Sequence, residues 1–343
     1  MSKPYKLSVV IGRFQFLHDA HVKLIEHAKT LGEKTLVLVG SSHEARSVRN
    51  PLTFRERELC LDTLDKSLEI EPLRDYRYNT EVWQEEVKQA ISLHSCKPED
   101  VCIVGYHKDN SSFYLDLFPE FKYEEYEPAT KFNVILSSTT IRKLLFGEPV
   151  GSTAKLIYKQ VPQCTKDLIW QIQPEAWLAD MRNQIVEEQK YKKSWASAPF
   201  PPTFIAVDAI VHDGDELILI QRKGPFGKGL WAMAGGYIDD TETLLESAYR
   251  ELEEETGINK EDVEFTGKVK VFDDPNRSRR GRMITHVHEF NLTNKAATIV
   301  AGDDAVKIVR VRKDVLIHNS CNFFSDHFHI LFNMLCGKAL INA

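Results

Sequence analysis

The stretch from Gly236 to Ile258, GYIDDTETLLESAYRELEEETGI, admits few folds. Its glycine opens a turn, Asp239 to Thr241 offer helix-capping side chains, and Gly257 stands where a helix of about four turns needs a left-handed residue to stop. The stretch therefore reads as loop, helix, loop. Leu244, Leu245, Ala248 and Leu252 form the buried stripe of that helix. Glu251, Glu254 and Glu255 lie at i, i+3 and i+4, so they share a face with Cβ atoms roughly 5–6 Å apart. Three carboxylates so close repel one another. The arrangement becomes sensible with hard divalent cations among them, because Mg2+ takes oxygen ligands and bridges carboxylates to substrate phosphates. Arg250 stands where it can hold one acid by a bidentate pair. A solvated acidic helix face is the competing reading, and the apolar stripe and Arg250 weigh against it.

The whole string resembles the Nudix box: Gly, five residues, Glu, seven residues, Arg-Glu-apolar, any, Glu-Glu, any, Gly-apolar. Gly236, Glu242, Arg250, Glu251, Leu252, Glu254, Glu255, Gly257 and Ile258 fit every specified position. The resemblance implies hydrolysis of a nucleoside diphosphate linked to another moiety. It also implies Glu251, Glu254 and Glu255 as catalytic metal ligands, completed by the carbonyl of Gly235, with Mg2+ as the ion and Mn2+ as a substitute. The general base stays open among Asp273, Asp274, Glu289, Asp303 and Asp304.

A length of 343 residues suggests about two domains, each large enough to bury its own core. No apolar run approaches the roughly 20 residues needed to cross a bilayer, and the start, MSKPYKLSVVIG, lacks a signal-peptide pattern. A cytoplasmic protein is expected. Six cysteines without CxxC pairing point to free thiols. A formal net charge of −6 argues against general nucleic-acid affinity, so any phosphate site must be local.

In chain order, Lys6 to Ile11 read as a buried strand, followed by a loop and an amphipathic helix that ends at Gly32. A strand at Thr35 to Gly40 comes next, then a helix from near Thr53 with Phe54, Leu59, Leu61 and Leu64 facing inward. A helix around Glu81 to Leu93 leads to strands at Val101 to Gly105 and Phe121 to Tyr126. Alternating strands and helices imply a mostly parallel sheet, whose ligands bind beyond the carboxyl ends of the strands. Gly12 to His21 then lie at the site. Gly12 permits close approach to the backbone, and the helix start near Asp19 aims N–H groups at an anion. His18 and His21 can both donate to phosphate oxygens. Ser137, Ser138 and Thr139 cap a second helix start with Arg142 in its first turn; on its own that segment reads as simple capping.

Together, GRFQFLHDAH and SSTTIR resemble the two signatures of the nucleotidyltransferase superfamily, most closely the archaeal-type nicotinamide mononucleotide (NMN) adenylyltransferases. RNPLTFRER, YNTEVW and GYHKD resemble the intervening motifs. The resemblance implies that His18 and His21 stabilise the phosphates of ATP in the transition state while Ser138, Thr139 and Arg142 bind the triphosphate. It extends the substrate-binding set to Gly12, Arg13, Phe14, Gln15, Asn79, Trp83, Gly105, Lys108 and Asp109. Trp83 is a candidate to stack on the nicotinamide ring, against an equal case for a core role. Phe16 and Ala20 depart from the family's usual proline and glycine.

The pattern is helical from Cys164 to Lys193, and EEQKYKKSWASAPFPP then turns proline-rich, which no helix continues through. Residues 1–193 are thus read as the nucleotidyltransferase domain, 194–202 as a linker and 203–343 as the Nudix domain. In the last, FIAVDAIVHDGDELILIQRK reads as strand, turn and strand. VEFTGKVKVFDD and MITHVHEFNL follow the box as further strands, and SDHFHILFNMLCGKAL as a closing helix. Between those strands, DDPNRSRRGR reads as a solvated loop, with a diphosphate clamp or a subunit contact as alternatives. His286 and His288 suit packing better than metal binding.

The fold expected is α/β: a Rossmann-like parallel-sheet domain followed by an α/β/α Nudix domain with a mixed sheet. The resemblance implies a bifunctional NMN adenylyltransferase fused to a Nudix hydrolase of the ADP-ribose pyrophosphatase type, with ATP, NMN and ADP-ribose as small-molecule substrates. Neither nucleic acid nor membrane is an expected partner, and a homo-oligomer is compatible with the sequence. The alternative is an NAD-synthesising enzyme whose Nudix domain senses an NAD-related nucleotide or cleaves another nucleoside diphosphate derivative.

Overall fold

The computed structural model describes residues 3–94, 96–106, 115–127, 137–147, 158–302 and 304–335. Two compact units divide the chain, Met1–Arg182 and Asn183–Ala343.

In the first unit, β1 (Tyr5–Gly12), α1 (Asp19–Leu31), β2 (Gly32–Val39), α2 (Phe54–Leu64), β3 (Glu69–Pro72), α3 (Thr80–Ser92), β4 (Val101–Gly105) and β5 (Lys122–Glu125) alternate along the chain. The strands form one sheet in the order β3-β2-β1-β4-β5, and every neighbouring pair is parallel. The near-continuous apolar run of β1 has its reason here, because both faces of the sheet are covered. Leu7, Val9 and Ile11 pack with Val87 and Ile91 of α3, whereas Val10 packs with Ile25 and Ala28 of α1 and Leu61 of α2. The order reverses across β1, so the carboxyl ends of β1 and its neighbours open the crevice where such sheets bind ligands.

The sequence expectations need three corrections in this unit. Leu59 is 60% exposed rather than inward. Leu61 is buried and Phe54 and Leu64 pack against the core as expected, and Arg57 and Cys60 take the remaining inward positions of α2. The charged segment near residue 70 holds edge strand β3, which the sequence reading passed over. The helical run is also two helices, α5 (Gln163–Ile172) and α6 (Ala176–Ser194), which follow α4 (Ser138–Leu145). The break falls beside Pro174, which cannot donate into a continuing helix.

The second unit contains β6 (Thr203–Asp213), β7 (Glu216–Arg222), β8 (Trp231–Ala232), β9 (Ala234–Tyr237), α7 (Leu244–Thr256), β10 (Val263–Phe272), β11 (Arg282–Leu292), β12 (Ala305–Arg312) and α8 (His327–Met334). Its sheet runs β10-β11-β6-β7-β12, with β8 on β7 and β9 on β6. It is mixed, since β6 and β11 are parallel and the other pairs antiparallel. Ala248 and Leu252 of α7 pack with Val207, Ala209 and Phe290. Strand β12 has no counterpart in the sequence reading. The C-terminal part of α6 belongs to this unit: Glu188 accepts from Arg279, and the hydroxyls of Tyr191 and Tyr237 lie 3.0 Å apart.

Among the described residues no helix is long and apolar enough to cross a membrane. Cys60, Cys96, Cys102, Cys164 and Cys321 are free thiols, as expected; Cys336 lies outside the described residues.

Candidate active sites

In the first unit the two signature segments meet. His18 is the N-cap of α1, with extended backbone, and its ring stacks on that of His21 at 3.7 Å between centroids. The other side of the pair is set by Phe14, whose ring meets His21 edge-on at 5.0 Å. Gly12 is needed for that packing, because a Cβ there would lie 2.9 Å from the Phe14 ring. Arg13 is exposed, while Gln15 is buried and its amide pairs with the backbone of Leu52 in both directions at 2.9 Å. Phe16 is fully buried, the Gln15–Phe16 peptide is cis, and Ala20 sits in the first turn of α1.

Helix α4 is bonded straight onto this loop. Ser137 caps it by accepting from the Thr140 amide, and Ser138 Oγ donates to the Phe16 carbonyl at 3.2 Å. Arg142 donates from Nη1 to the Gln15 carbonyl at 3.0 Å and from Nη2 to Thr139 Oγ1 at 2.9 Å.

Of the middle motifs, Asn79 is the N-cap of α3, and Gly105 ends β4 where a Cβ would press into Leu115. Trp83 is half-buried, with its ring 5.8 Å from that of Phe118 at the edge of the core. Lys108 and Asp109 lie outside the described residues.

Sequence reasoning missed Arg57. It is 1% exposed and donates to the carbonyls of Arg13, Gly40 and Ser41 at 2.7, 2.6 and 3.1 Å, and to Thr53. One guanidinium thus fixes the loops that leave β1 and β2. Burial lowers its pKa to about 10, which leaves it charged at neutral pH. RNPLTFRER was the signal, but nothing in a single sequence separates an inward arginine from its exposed neighbours.

In the second unit α7 begins at Thr243, which forms a reciprocal capping box with Glu246. The expected caps do another job: Asp239 accepts from the amide and hydroxyl of Thr241 and braces the preceding turn. Gly257 stops the helix at φ 70°, as anticipated.

The box residues interlock. Arg250 Nε lies 3.0 Å from both Glu242 oxygens, Nη1 reaches Glu251 at 2.8 Å and Glu254 at 3.0 Å, and Nη2 donates to the Tyr237 carbonyl. Gly235 donates its N–H to Glu255 at 2.9 Å. Gly236 must lack a side chain, because a Cβ there would sit 2.5 Å from Glu251 Oε1. Burial pushes the Glu255 carboxyl up to about 8, against the hydrogen bond from Gly235 and the charge of Arg222. Burial also raises Glu251, partly offset by Arg250.

Among the described residues no three acids, histidines or cysteines converge as a ready cation cage, since Arg250 bridges Glu251 and Glu254. The donor chemistry nevertheless fits a hard cation: three carboxylates lie on one helix face, two of them buried and raised in pKa first by desolvation and then by neighbouring acids, Glu254 and Asp208 at Glu251 and Glu251 and Asp208 at Glu255.

Asp208 adds to this charge and was not foreseen. It is buried in β6 opposite Gly235, accepts from Thr285 Oγ1 at 2.6 Å, and helps raise both Glu251 and Glu255. A lone acid inside FIAVDAIVHD carries no spacing signal. Of the candidate bases, Glu289 is held by His212 at 2.7 Å and Lys268 at 2.8 Å, Asp273 lies beside Arg282, and Asp274 caps its own turn. His288 is buried against Phe265, consistent with packing.

Comparison with known proteins matches the cytidylyltransferase-like family model over residues 9–144 and the NUDIX domain model over residues 202–316. Fold and sites therefore describe a nucleotidyltransferase-type parallel sheet joined to a Nudix-type mixed sheet. A crystal structure of a bifunctional NMN adenylyltransferase/ADP ribose pyrophosphatase from Francisella tularensis is 31% identical to this chain. It covers 96% of this chain and 98% of its own, with a TM-score of 0.83. The chain belongs to this family of bifunctional NMN adenylyltransferase/ADP ribose pyrophosphatases. A crystal structure of a bifunctional NMN adenylyltransferase/ADP ribose pyrophosphatase from Francisella tularensis complexed with AMP and a manganese ion is 30% identical at a TM-score of 0.83, covering 98% of this chain and 99% of that one. The nicotinamide/nicotinic acid mononucleotide adenylyltransferase of Acinetobacter baylyi is 31% identical over 40% of this chain and 74% of its own length. The ADP-ribose pyrophosphatase of Methanocaldococcus jannaschii is 37% identical over 29% of this chain and 57% of its own length.

Proposed function

We propose that the chain joins NMN and ATP to give NAD and pyrophosphate, and separately hydrolyses ADP-ribose to AMP and ribose 5-phosphate. The observation that carries this reading is the match to the Francisella enzyme over 98% of that protein's length, with both signature sets present in one chain.

In the adenylyl transfer, His18 and His21 donate to ATP phosphate oxygens as charge develops, and Ser138, Thr139 and Arg142 hold the triphosphate. Gly12, Arg13, Phe14 and Gln15 form the loop beneath it. Asn79, Trp83, Gly105, Lys108 and Asp109 complete the substrate-binding set, with Trp83 a candidate to stack on the nicotinamide ring against an equal case for a core role. Positioning the NMN phosphate in line with the ATP α-phosphate supplies most of the acceleration, since the protein need form no covalent bond. In the hydrolase, Glu251, Glu254 and Glu255 with the Gly235 carbonyl would hold Mg2+, with Mn2+ as a substitute. The cation supplies Lewis-acid polarisation of the diphosphate and of the attacking water. Arg250 keeps the acids oriented, and Asp208 adds negative charge behind them.

The division of labour proposed is residues 1–193 for adenylyl transfer and 203–343 for hydrolysis, joined by 194–202, with side chains of 183–194 bracing the second unit. Product analysis of the purified protein with ATP plus NMN, and separately with ADP-ribose, each with and without Mg2+, tests the reading. NAD in the first mixture and AMP in the second, both requiring the cation, are expected. A protein that made neither product would refute it.

A further inference from the structure

The loop between β10 and β11 and the first residue of β11 together carry four arginines, Arg277, Arg279, Arg280 and Arg282, and three of them are committed to carboxylates. Arg277 is buried and donates from Nε and Nη2 to Asp326 at 3.0 and 3.2 Å. Arg279 Nε lies 3.1 and 3.0 Å from the two oxygens of Glu188. Arg282 pairs with the backbone and carboxylate of Asp273. Arg280 differs: among the described residues it has no carboxylate partner, and its only side-chain hydrogen bond goes to the Met283 sulfur at 4.0 Å.

Arg280 is nevertheless held in place. Its guanidinium lies over the rings of Phe226 and Tyr237, 5.2 and 5.7 Å from their centroids. Tyr237 is itself fixed, through its hydroxyl to Tyr191 and its carbonyl to Arg250, the arginine that organises the box glutamates. The anchors at 277 and 279 fix the backbone on one side of position 280, and Gly281 on the other lets the loop close on Phe204 and Trp195. Aromatic faces take up the flat sides of a guanidinium and leave its in-plane N–H fork directed outward. Arg280 also lies near enough to Arg222 for its charge to help depress that residue's pKa, which burial lowers first and the nearby Glu255 raises. Arg222 thus lies beside Glu255 with Arg280 next to it, so an anion reaching the acidic centre would meet two neighbouring cations.

We infer that Arg280, laid across Phe226 and across Tyr237, whose carbonyl accepts from the Arg250 of the glutamate cluster, receives a phosphate of the nucleoside diphosphate substrate and sets affinity for it. The inference rests on the hydrolase reading above. A planar fork matches phosphate oxygens bidentately, which a lysine cannot reproduce.

Steady-state hydrolysis of ADP-ribose by the full chain tests it, comparing native protein with Arg280→Lys, Arg280→Met and Arg282→Gln. Loss of charge-assisted hydrogen bonds should raise KM about 10- to 100-fold in Arg280→Met. Arg280→Lys should fall between, kcat should stay within about threefold, and NAD formation and the melting temperature should hold. Arg282→Gln, whose arginine already has its carboxylate, should keep the native KM. Native KM in Arg280→Met, or a loss confined to kcat, overturns the inference while the hydrolase reading stands. A native protein that leaves ADP-ribose intact overturns the hydrolase reading itself, and this inference with it.

Discussion

Arg142 Nη1 donates to the backbone carbonyl of Gln15 at 3.0 Å across 127 residues of chain. With Ser138 bonded to Phe16, this ties the start of α4 directly to the loop that presents His18 and His21. The Ser137–Arg142 segment, which on its own reads as simple capping, is through those bonds part of the same structure as the histidine loop. Preorganisation of this kind matters for adenylyl transfer, where orientation and charge neutralisation supply most of the rate.

Replacing Arg57 by Met leaves the buried carbonyls of Gly40 and Ser41, and the partly buried one of Arg13, without their donor. Each unsatisfied buried group costs about 1–3 kcal/mol, so the first unit should lose at least about 2 kcal/mol of stability. Urea unfolding should show the loss, and NAD formation should fall with it. ADP-ribose hydrolysis, measured below the transition, should remain.

Gly236→Ala should abolish hydrolysis while leaving α7 folded. The new Cβ would lie 2.5 Å from Glu251 Oε1, so either that carboxylate or the β9 backbone must move. Turnover should drop by at least about 100-fold, the scale set by a misplacement of roughly 1 Å, with circular dichroism and NAD formation unchanged.

Glu255 predicts a pH-dependent stability difference in metal-free buffer. Burial disfavours the anion and pushes its folded carboxyl up to about 8, from an ordinary value of 4.5. A raised folded pKa contributes stability below about pH 4.5 that is lost as pH rises through about 8. The native protein should therefore lose stability relative to Glu255→Gln between pH 5.5 and 8.5. Urea midpoints at both values check the sign. Added Mg2+ should stabilise the native protein more at the higher pH, where the ligand is ionised.

Sequence periodicity located most helices and strands of both sheets, because the apolar runs of β1, β2, β4 and β6 and the stripe of α7 are local signals. Edge strands were harder: EIEP at β3 is four residues with alternating charge and needs β2 beside it to become a strand. The start of α7 was ambiguous because Asp239, Thr241 and Thr243 all have capping side chains, and only reciprocation by Glu246 selects Thr243. The box arginine and glutamates were legible from spacing. Arg57 and Asp208 were not, since their importance comes from carbonyls and carboxyls contributed by other elements.

The end of α6 should be needed by the second unit. A fragment starting at Asn183 keeps Glu188 and Tyr191, whereas one starting at Phe200 strips Arg279 of its carboxylate and Tyr237 of its hydroxyl partner. The shorter fragment should be less stable by about 1–3 kcal/mol, with weaker hydrolysis. Equal urea midpoints for the two would show that the proposed linker boundary is also the structural one.

Assaying NAD formation and ADP-ribose hydrolysis side by side in His18→Ala and Glu254→Gln tests most directly whether one chain holds two separate active sites. His18→Ala should lower NAD formation by roughly 10²–10³, the cost of one preorganised donor, and leave hydrolysis at the native rate. Glu254→Gln keeps shape and helix propensity but removes one charge, so hydrolysis and its Mg2+ affinity should fall while NAD formation is untouched. Loss of both activities in either variant, or native rates in both, would contradict the account.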